Sequence, residues 1–116
     1  MNDYGWTFLH AACYYGQITI VRELVEVLAA DVNRENKNGW NSLFFAVLGG
    51  HIDVIDYLLA DTPHVNIHLK DKYEMTAFEI AEKQQDQDIL DLFIEYQNKE
   101  DEARFSTASS DSNSNS

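Results

Sequence analysis

The chain has 116 residues, of which 45% are hydrophobic and 24% are charged, so it is long enough for one domain with a small apolar core. Its 20 Asp and Glu residues against 8 Lys and Arg residues give a formal net charge of −12 at pH 7. This charge argues against nucleic acid or an anionic membrane as a partner, because like charges repel at long range.

The first predicted element is a pair of helices over residues 5–25, GWTFLHAACYYGQITIVRELV. The side chain of Thr7 can accept a backbone N–H as an N-cap, and Gly16 suits the C′ position that ends a helix. Ala11 and Ala12 lie between them, where another helix can approach closely. The second helix is predicted from apolar residues at helical spacing, which are Ile20, Val21, Leu24 and Val25. A turn-like segment, VNRENKNG, follows.

The same pattern returns from Gly39 in GWNSLFFAVLGGHIDVIDYLL. Asn41 stands at the N-cap position, Ala46 at the small-residue position and Gly50 at the C′ position. The pairs that are identical at a step of 34 residues are Gly5 and Gly39, Trp6 and Trp40, Leu9 and Leu43, Ala12 and Ala46, Gly16 and Gly50, Ile18 and Ile52, and Leu24 and Leu58. A fixed period of this length indicates a protein built from stacked repeats.

A third, weaker copy follows at a step of 35 residues, after the segment VNIHLKDKYE. Thr76 stands at its N-cap position and, with Glu79, predicts a T-x-x-E capping box. Glu74 and Gln85 stand where the earlier copies have glycine. The apolar residues of its second helix are Ile89, Leu90, Phe93 and Ile94. We expect Leu24, Leu58 and Phe93 to be buried equivalents on the second helices.

The last predicted segment is a tail, residues 97–116, QNKEDEARFSTASSDSNSNS. Its composition cannot bury enough apolar surface to offset the entropy of ordering, so it is predicted to be disordered, apart from one or two further helical turns into NKEDEAR. Ser109 and Ser110 lie beside Asp111. They are either phosphorylation sites or part of an unmodified, solubilising tail.

The sequence resembles the ankyrin repeat family, in which a helix, a tight turn, a second helix and a connecting finger are repeated every 33 or so residues. The family pattern T-P-L-H-x-A-A is matched by TFLHAA at residues 7–12, and G-H-x-x-[IV]-V-x-x-L-L is matched at residues 50–59. The usual proline of each repeat is replaced by Phe8, Ser42 and Ala77. The resemblance implies an all-α ankyrin repeat solenoid with repeats over residues 1–35, 36–69 and 70–96, the last one degenerate, and the disordered tail over 97–116.

Residues with reactive or metal-binding side chains do not form a recognisable site in the sequence. His64 and His68 have an i, i+4 spacing that binds metal only on a helix, and they follow Pro63 in a finger, so we expect no metal site. His10 and His51 occupy family positions at which imidazole bridges neighbouring turns, which implies a structural role. No phosphate-binding glycine loop or catalytic carboxylate pair is present. We therefore expect no cofactor and no catalytic residue.

The resemblance implies that a partner binds the concave side, built from the finger tips and the exposed face of each first helix. The predicted contact residues are Asp3, Tyr4, Lys37, Asn38, Lys72 and Tyr73 at the tips, Trp6, Trp40 and Met75 before the helix caps, and Tyr14, Tyr15, Leu48 and Lys83 near the helix ends. Trp and Tyr are the residue types most enriched among binding hot spots. In the alternative interpretation, Trp6 and Trp40 pack against adjacent fingers and stiffen the stack.

We therefore expect a protein-binding module that masks, inhibits or chaperones another protein. The negative charge suits a partner with a basic surface, although a solvated acidic surface that implies no partner explains it equally well. The alternative functions are an adaptor or regulatory subunit that targets an enzyme, and an enzyme in its own right. We expect a monomer when the protein is free.

The sequence also predicts where the protein is located. Cys13 is the only cysteine, so no intramolecular disulfide can form, and a reducing compartment is expected. The segment MNDYGWTFLH lacks the basic and apolar regions of a secretory signal, and no apolar run is long enough to span a membrane. These features predict a soluble protein of the cytoplasm, with the nucleus as a second location.

Overall fold

Three pairs of helices follow one another in the computed structural model, which describes residues 5–62 and 65–109, with side chains described as far as residue 98. The helices are α1 (Phe8–Tyr14), α2 (Ile18–Glu26), α3 (Ser42–Gly49), α4 (Ile52–Asp61), α5 (Ala77–Gln84) and α6 (Gln87–Ser109). No β-strand occurs within these two ranges. The predicted all-α architecture of helix pairs is confirmed.

The first helix of each pair begins at a side chain that caps it, as predicted. A side-chain oxygen accepts a backbone N–H from the first turn in each case: Thr7 from His10 at 3.1 Å, Asn41 from Phe44 at 3.3 Å and Thr76 from Glu79 at 3.2 Å. The Thr76–Glu79 capping box forms, since Glu79 Oε1 accepts the backbone N–H of Thr76 at 3.0 Å. These bonds join residues three apart, so the helix starts depend on local sequence alone.

Two turn positions have a strained backbone conformation in the third repeat but not in the second, where glycine occupies them. Gly39 and Gly50 have φ angles of +80° and +75°, in the left-handed region that glycine enters without steric cost. The equivalent residues of the third repeat, Glu74 and Gln85, have φ angles of +64° and +58°. A non-glycine residue pays roughly 1–2 kcal/mol for this conformation. The stack imposes its turn geometry even where the sequence opposes it.

The helix pairs stack in two layers. The first helices, α1, α3 and α5, pack side by side in one layer, and the second helices, α2, α4 and α6, form the other. Gly49 marks the closest approach, because a Cβ atom added to it would lie 2.1 Å from the backbone oxygen of Tyr14. Only glycine at this position allows α3 to lie so close to α1. Most of the large side chains that are fully buried belong to the central pair, and they include Leu43, Phe44, Phe45, Ile55 and Leu58.

The expectation of three buried equivalents holds for two of the three residues. Leu58 and Phe93 are buried, whereas Leu24 is only half-buried. Leu24 lies at the outer end of the stack, where it lines two grooves instead of packing beneath a preceding repeat. Position along the array therefore decides burial at a site where the repeat pattern predicts equivalence.

Helix α6 continues past the predicted repeat boundary at residue 96 and ends at Ser109. The reason lies in the segment QNKEDEAR, because Gln, Lys, Glu, Ala and Arg are good helix formers that can extend a helix already anchored by packing. The rest of the predicted tail, residues 110–116 with Ser110, lies outside the described residues. Although α6 has 23 residues, no helix in the described ranges is long and apolar enough to cross a membrane.

Candidate protein-binding surface

Two fingers link the helix pairs: finger 1 is residues 30–41 and finger 2 is residues 65–76. The tip of each finger is built around one buried side chain, Asn36 in finger 1 and Asp71 in finger 2. The Oδ1 atom of each accepts the backbone N–H groups two and four residues further on, at 2.8–3.0 Å. Short, charged or amide side chains suit this role because they replace a backbone partner in a tight turn. Each tip is therefore held by two hydrogen bonds from its own backbone to one side chain.

The two finger tips lie against each other. The backbone N–H of Lys72 donates to the carbonyl oxygen of Asn38 at 3.0 Å, and the indole Nε1 of Trp40 donates to Asp71 Oδ2 at 2.9 Å. Lys72 Nζ lies 5.2 Å from the ring centroid of Tyr73. Four of the predicted contact residues are thus brought together at the tips, while Lys37 is exposed nearby in the sequence. We use the name finger face for the tips together with the exposed sides of α1, α3 and α5.

An aromatic cluster connects the first two repeats on this face: it consists of Trp6, Tyr14, Tyr15, Trp40 and Phe45. The ring centroids of Trp6 and Tyr14 are 5.4 Å apart, and those of Tyr14 and Tyr15 are 5.1 Å apart. Phe45 joins the two tryptophans, at 4.6 Å from Trp6 and 5.8 Å from Trp40. All four pairs meet edge to face, a favourable arrangement for aromatic rings. The sequence prediction placed four of these five residues on one surface.

Phe45 is the member of the cluster that the sequence prediction missed. It is fully buried, and it also stacks on the imidazole of His10, with ring centroids 4.6 Å apart and planes 18° apart. The available signal was the repeat alignment, in which Phe45 stands where the first copy has the small residue Ala11. A large ring at a position of close helix approach must fill space that the first repeat supplies.

Trp40 contacts the adjacent finger through its bond to Asp71, whereas the ring contact of Trp6 with the second repeat is to Phe45 on α3. Trp6 and Trp40 are half-buried, and both lie against Phe45. Among the predicted contact residues that the structure describes, Tyr15 and Tyr73 present the most aromatic surface to solvent, each being 64% exposed. Asp3 and Tyr4 lie outside the described residues.

Two histidines bridge separate segments of the backbone by hydrogen bonds, which agrees with the structural role that the resemblance implied. His10 Nε2 donates to the carbonyl oxygen of Arg34 at 2.8 Å, while its Nδ1 accepts the backbone N–H of Thr7 at 3.1 Å. His51 Nε2 donates to the carbonyl oxygen of Tyr14 at 2.9 Å. Burial lowers the pKa of His10, and the nearby charge of Arg34 lowers it further, against the opposing effect of the bond to the Arg34 carbonyl. His10 is thus held neutral beneath the aromatic cluster.

Acid is expected to destabilise the protein through His10. Because the pKa of His10 is lowered in the folded chain, the unfolded chain takes up a proton near the ordinary value of about 6.5 while the folded chain stays neutral. The contribution of neutral His10 to the free energy of unfolding is therefore fully present above about pH 6.5. Below this pH the free energy of unfolding falls, by up to about 1.4 kcal/mol per pH unit for one proton. Urea unfolding at a series of pH values measures this slope.

The exposed His68 provides the matched control for this measurement. His68→Gln should keep the pH dependence of the parent chain, whereas His10→Gln should flatten it between about pH 6.5 and 5. Equal slopes in the two variants would show that His10 is not the group responsible.

An acidic groove lies where finger 2 meets α5. Its volume is about 490 Å³, and it is lined by Glu74, Met75, Glu79, Glu82 and Lys83. Met75 and Lys83 are predicted contact residues, and the three glutamates were missed: Glu74 lies in finger 2, whereas Glu79 and Glu82 lie on α5. Predicted contact residue Leu48 is nearby, since its carbonyl oxygen accepts a bond from Gln84 Nε2 at 3.4 Å. With three carboxylates around one ammonium group, the groove favours a cationic side chain of a partner.

The described residues offer little to redox or metal chemistry. None of them belongs to a group of three or more His, Cys, Asp or Glu side chains that could hold a metal ion, and His64 lies outside the described ranges. Cys13 is buried, and this burial raises its pKa to about 12. The side chain therefore stays a thiol at neutral pH, where a reactive cysteine would be a thiolate.

Known proteins resemble this chain in both sequence and fold. A family model described as ankyrin repeats (3 copies) matches residues 1–71 and 23–104. The human Notch-regulated ankyrin repeat-containing protein is 38% identical over 55 residues, 47% of this chain and 47% of that protein. The bovine (Bos taurus) ankyrin repeat and SOCS box protein 2 is 33% identical over 58 residues, 50% of this chain and 9% of that protein. The aligned part of this chain thus spans about half the length of the first relative.

A solved structure has the same fold. It is described as a predatory endopeptidase from Bdellovibrio bacteriovorus in complex with an immunity protein. The match has a TM-score of 0.71 and 27% sequence identity, and it covers 79% of this chain and 47% of the matched chain.

Proposed function

This chain belongs to the ankyrin repeat family, and we propose that it is a binding module that holds another protein on its finger face. Ankyrin repeats generally mediate protein–protein interaction, and ankyrin repeat proteins are typically not enzymes. The observation that carries the proposal is the aromatic cluster, which presents Tyr15 to solvent from a rigid base. Tyrosine offers a large contact area with few rotatable bonds, as binding hot spots do.

The electrostatics of the finger face support a partner with a basic surface. The acidic groove supplies Glu74, Glu79 and Glu82, and the whole chain has a net charge of −12. Such a field speeds the encounter with a positively charged protein and makes association weaken with salt. Lys37 and Lys72 at the tips are exposed, and ion pairs there contribute only about 0.2–1 kcal/mol each.

Binding that masks or inhibits the partner is the favoured role. The structural neighbour, described as an endopeptidase in complex with an immunity protein, supports this over the adaptor alternative. The proposed place of action is the cytoplasm or the nucleus, which is consistent with the single buried thiol of Cys13.

The proposal is tested with a partner captured from cell extract and then titrated against purified variants by calorimetry. Tyr73→Ala should weaken binding by about 2 kcal/mol or more if this residue is a hot spot. Glu74→Lys with Glu82→Lys should also weaken binding, because it reverses the charge of the acidic groove. Both changes affect exposed side chains, so the variants should remain folded, which circular dichroism checks.

The matched control reverses two acidic residues on the other side of the molecule. Asp56 and Glu95 line a groove of about 220 Å³ between α4 and α6. Asp56→Lys with Glu95→Lys changes the net charge by the same amount as the finger-face double variant. Equal loss of affinity in the two double variants would mean that only the overall charge matters and would contradict the finger-face proposal. Loss of affinity in the control alone would place the interface on the second helices.

A further inference from the structure

The layer formed by α2, α4 and α6 carries most of the excess negative charge of the described side chains. These three helices include eight acidic residues and one basic residue, Arg22, among the side chains described. The fingers, α5 and the turn after α5 together hold seven acidic and five basic residues. The field that attracts a positively charged segment is therefore centred on the layer of second helices.

The one described cation of this layer lies between α2 and α4. The Cζ atom of Arg22 is 5.3 Å from the ring centroid of Tyr57, and its Nε atom is 3.8 Å from Glu26 Oε2. The hydroxyl of Tyr57 donates to the same carboxylate oxygen at 2.8 Å. A guanidinium group favours both contacts, since it stacks on aromatic rings and pairs with carboxylates. The junction of α2 and α4 thus shows how neighbouring second helices hold an arginine.

The junction of α4 and α6 has a groove at the equivalent place. The members of the first arrangement are replaced at steps of 34 and 35 residues, Arg22 by Asp56, Glu26 by Ala60 and Tyr57 by Leu92. All three replacements are shorter, and all three line the groove of about 220 Å³ between α4 and α6, named here the outer groove. Its other lining residues are Leu59, Glu95 and Tyr96. The outer groove therefore occupies the position at which the preceding junction holds its own arginine.

The outer groove combines two carboxylates with apolar surface. Asp56 belongs to α4 and Glu95 to α6, and neither carboxylate has a hydrogen bond or an ion pair within the described part of the chain. Leu59 is buried and Leu92 is half-buried, so both offer carbon atoms to an occupant. The volume is below the roughly 300–1,000 Å³ of pockets that take small molecules. It suits one long side chain whose stem packs on the leucines while its charged end meets the carboxylates.

We propose that the outer groove binds an arginine side chain from a basic segment of another protein. Arginine is favoured over lysine because its planar guanidinium group can bind two carboxylates through separate N–H groups. It also stacks on an aromatic ring, and Tyr96 lines the groove as Tyr57 lies beneath Arg22. The partner then supplies at the second junction the cation that Arg22 supplies at the first. This second surface goes beyond the proposed function, because it lies on the layer of second helices and not on the finger face.

NMR titration of the full chain with two capped peptides of equal length tests the proposal. One peptide alternates arginine with alanine, and the other alternates lysine with alanine. The backbone amide signals of α4 and α6 around the outer groove should shift, and the arginine peptide should bind at least about threefold more tightly than the lysine peptide.

Charge reversal in the outer groove should weaken this binding more than charge reversal beside it. Asp56→Lys with Glu95→Lys should raise the Kd of the arginine peptide at least about tenfold. Glu23→Lys with Asp61→Lys is the matched control, because it changes the net charge equally on exposed positions of the same layer that do not line the groove. In about 0.15 M salt, where the Debye length is about 8 Å, the control should raise the Kd by less than about threefold.

A neutral substitution distinguishes the shape of the outer groove from its charge. Ala60 is exposed and lines the groove, so Ala60→Leu should fold normally and fill the space that the arginine needs. This variant should raise the Kd of the arginine peptide at least about tenfold without any change of charge. Ala60→Ser has nearly the parent size and should bind the peptide as the parent chain does.

Four results would each overturn the outer groove as an arginine site: signal shifts confined to the finger face, equal binding of the two peptides, equal effects of the two double variants, or parent-like binding by Ala60→Leu. The finger-face proposal has its own readout, the captured partner. Glu74→Lys with Glu82→Lys should weaken that partner and leave the Kd of the arginine peptide within about threefold of the parent value. Ala60→Leu should do the reverse, so failure of one proposal does not conceal failure of the other.

Discussion

Leu58→Ala is expected to lower the free energy of unfolding by about 2–5 kcal/mol, which is the range for truncating a buried leucine. The side chain of Leu58 is 0% exposed and lies on α4 in the central repeat, packed between helices of both neighbours. Each repeat is stabilised only by the layers next to it, so damage to the middle one weakens both interfaces of a three-repeat array. Urea unfolding followed by circular dichroism measures the loss.

The matched control for this prediction is Leu28→Ala, because Leu28 is 66% exposed beyond the end of α2. The same chemical truncation should there change stability by less than about 0.5 kcal/mol, as at most surface sites. A melting curve for Leu58→Ala that matches the control would mean that the central repeat is not packed as described.

Phe45→Ala is expected to cost about 3–5 kcal/mol, the range for removing a buried aromatic ring. Phe45 lies at the centre of the aromatic cluster and stacks on His10, so its loss leaves a cavity between the first two repeats. The two tryptophans of the chain both pack on this ring and provide an optical probe. Their emission should shift to the red in the folded variant, because their rings become more accessible to water.

The exposed ring of Phe8 gives the comparison for Phe45. Phe8→Ala should retain both the stability and the tryptophan emission of the parent chain, because its ring is 86% exposed. Parent-like emission and stability in Phe45→Ala would refute the central position of this ring. The two phenylalanine variants therefore compare the loss of a buried ring with the loss of an exposed one.

Much of the fold could be predicted from the sequence because its signals are local. The caps at Thr7, Asn41 and Thr76 depend on bonds to residues three positions away, and the helix pairs follow from apolar spacing within one repeat. The end of α6 was harder to predict. The low hydrophobicity of the segment after residue 96 predicts disorder, whereas the helix propensity of its residues favours the helix that extends to Ser109. Composition and propensity gave opposing predictions, and the anchored first half of α6 decides between them.

The sequence by itself determined the repeat period, the family, the helix pairs, their caps and the surface on which the aromatic residues meet. Only the tertiary structure decided how deeply each of those residues is buried. The bond from Trp40 to Asp71 joins residues 31 apart, and the contacts of Phe45 join two repeats, so neither follows from the spacing within one copy. Likewise, Leu24 and Leu58 are equivalent in sequence but not in burial, because a repeat covers one and solvent reaches the other. Periodicity specifies what each copy can pack against, and position in the stack specifies whether that neighbour is present.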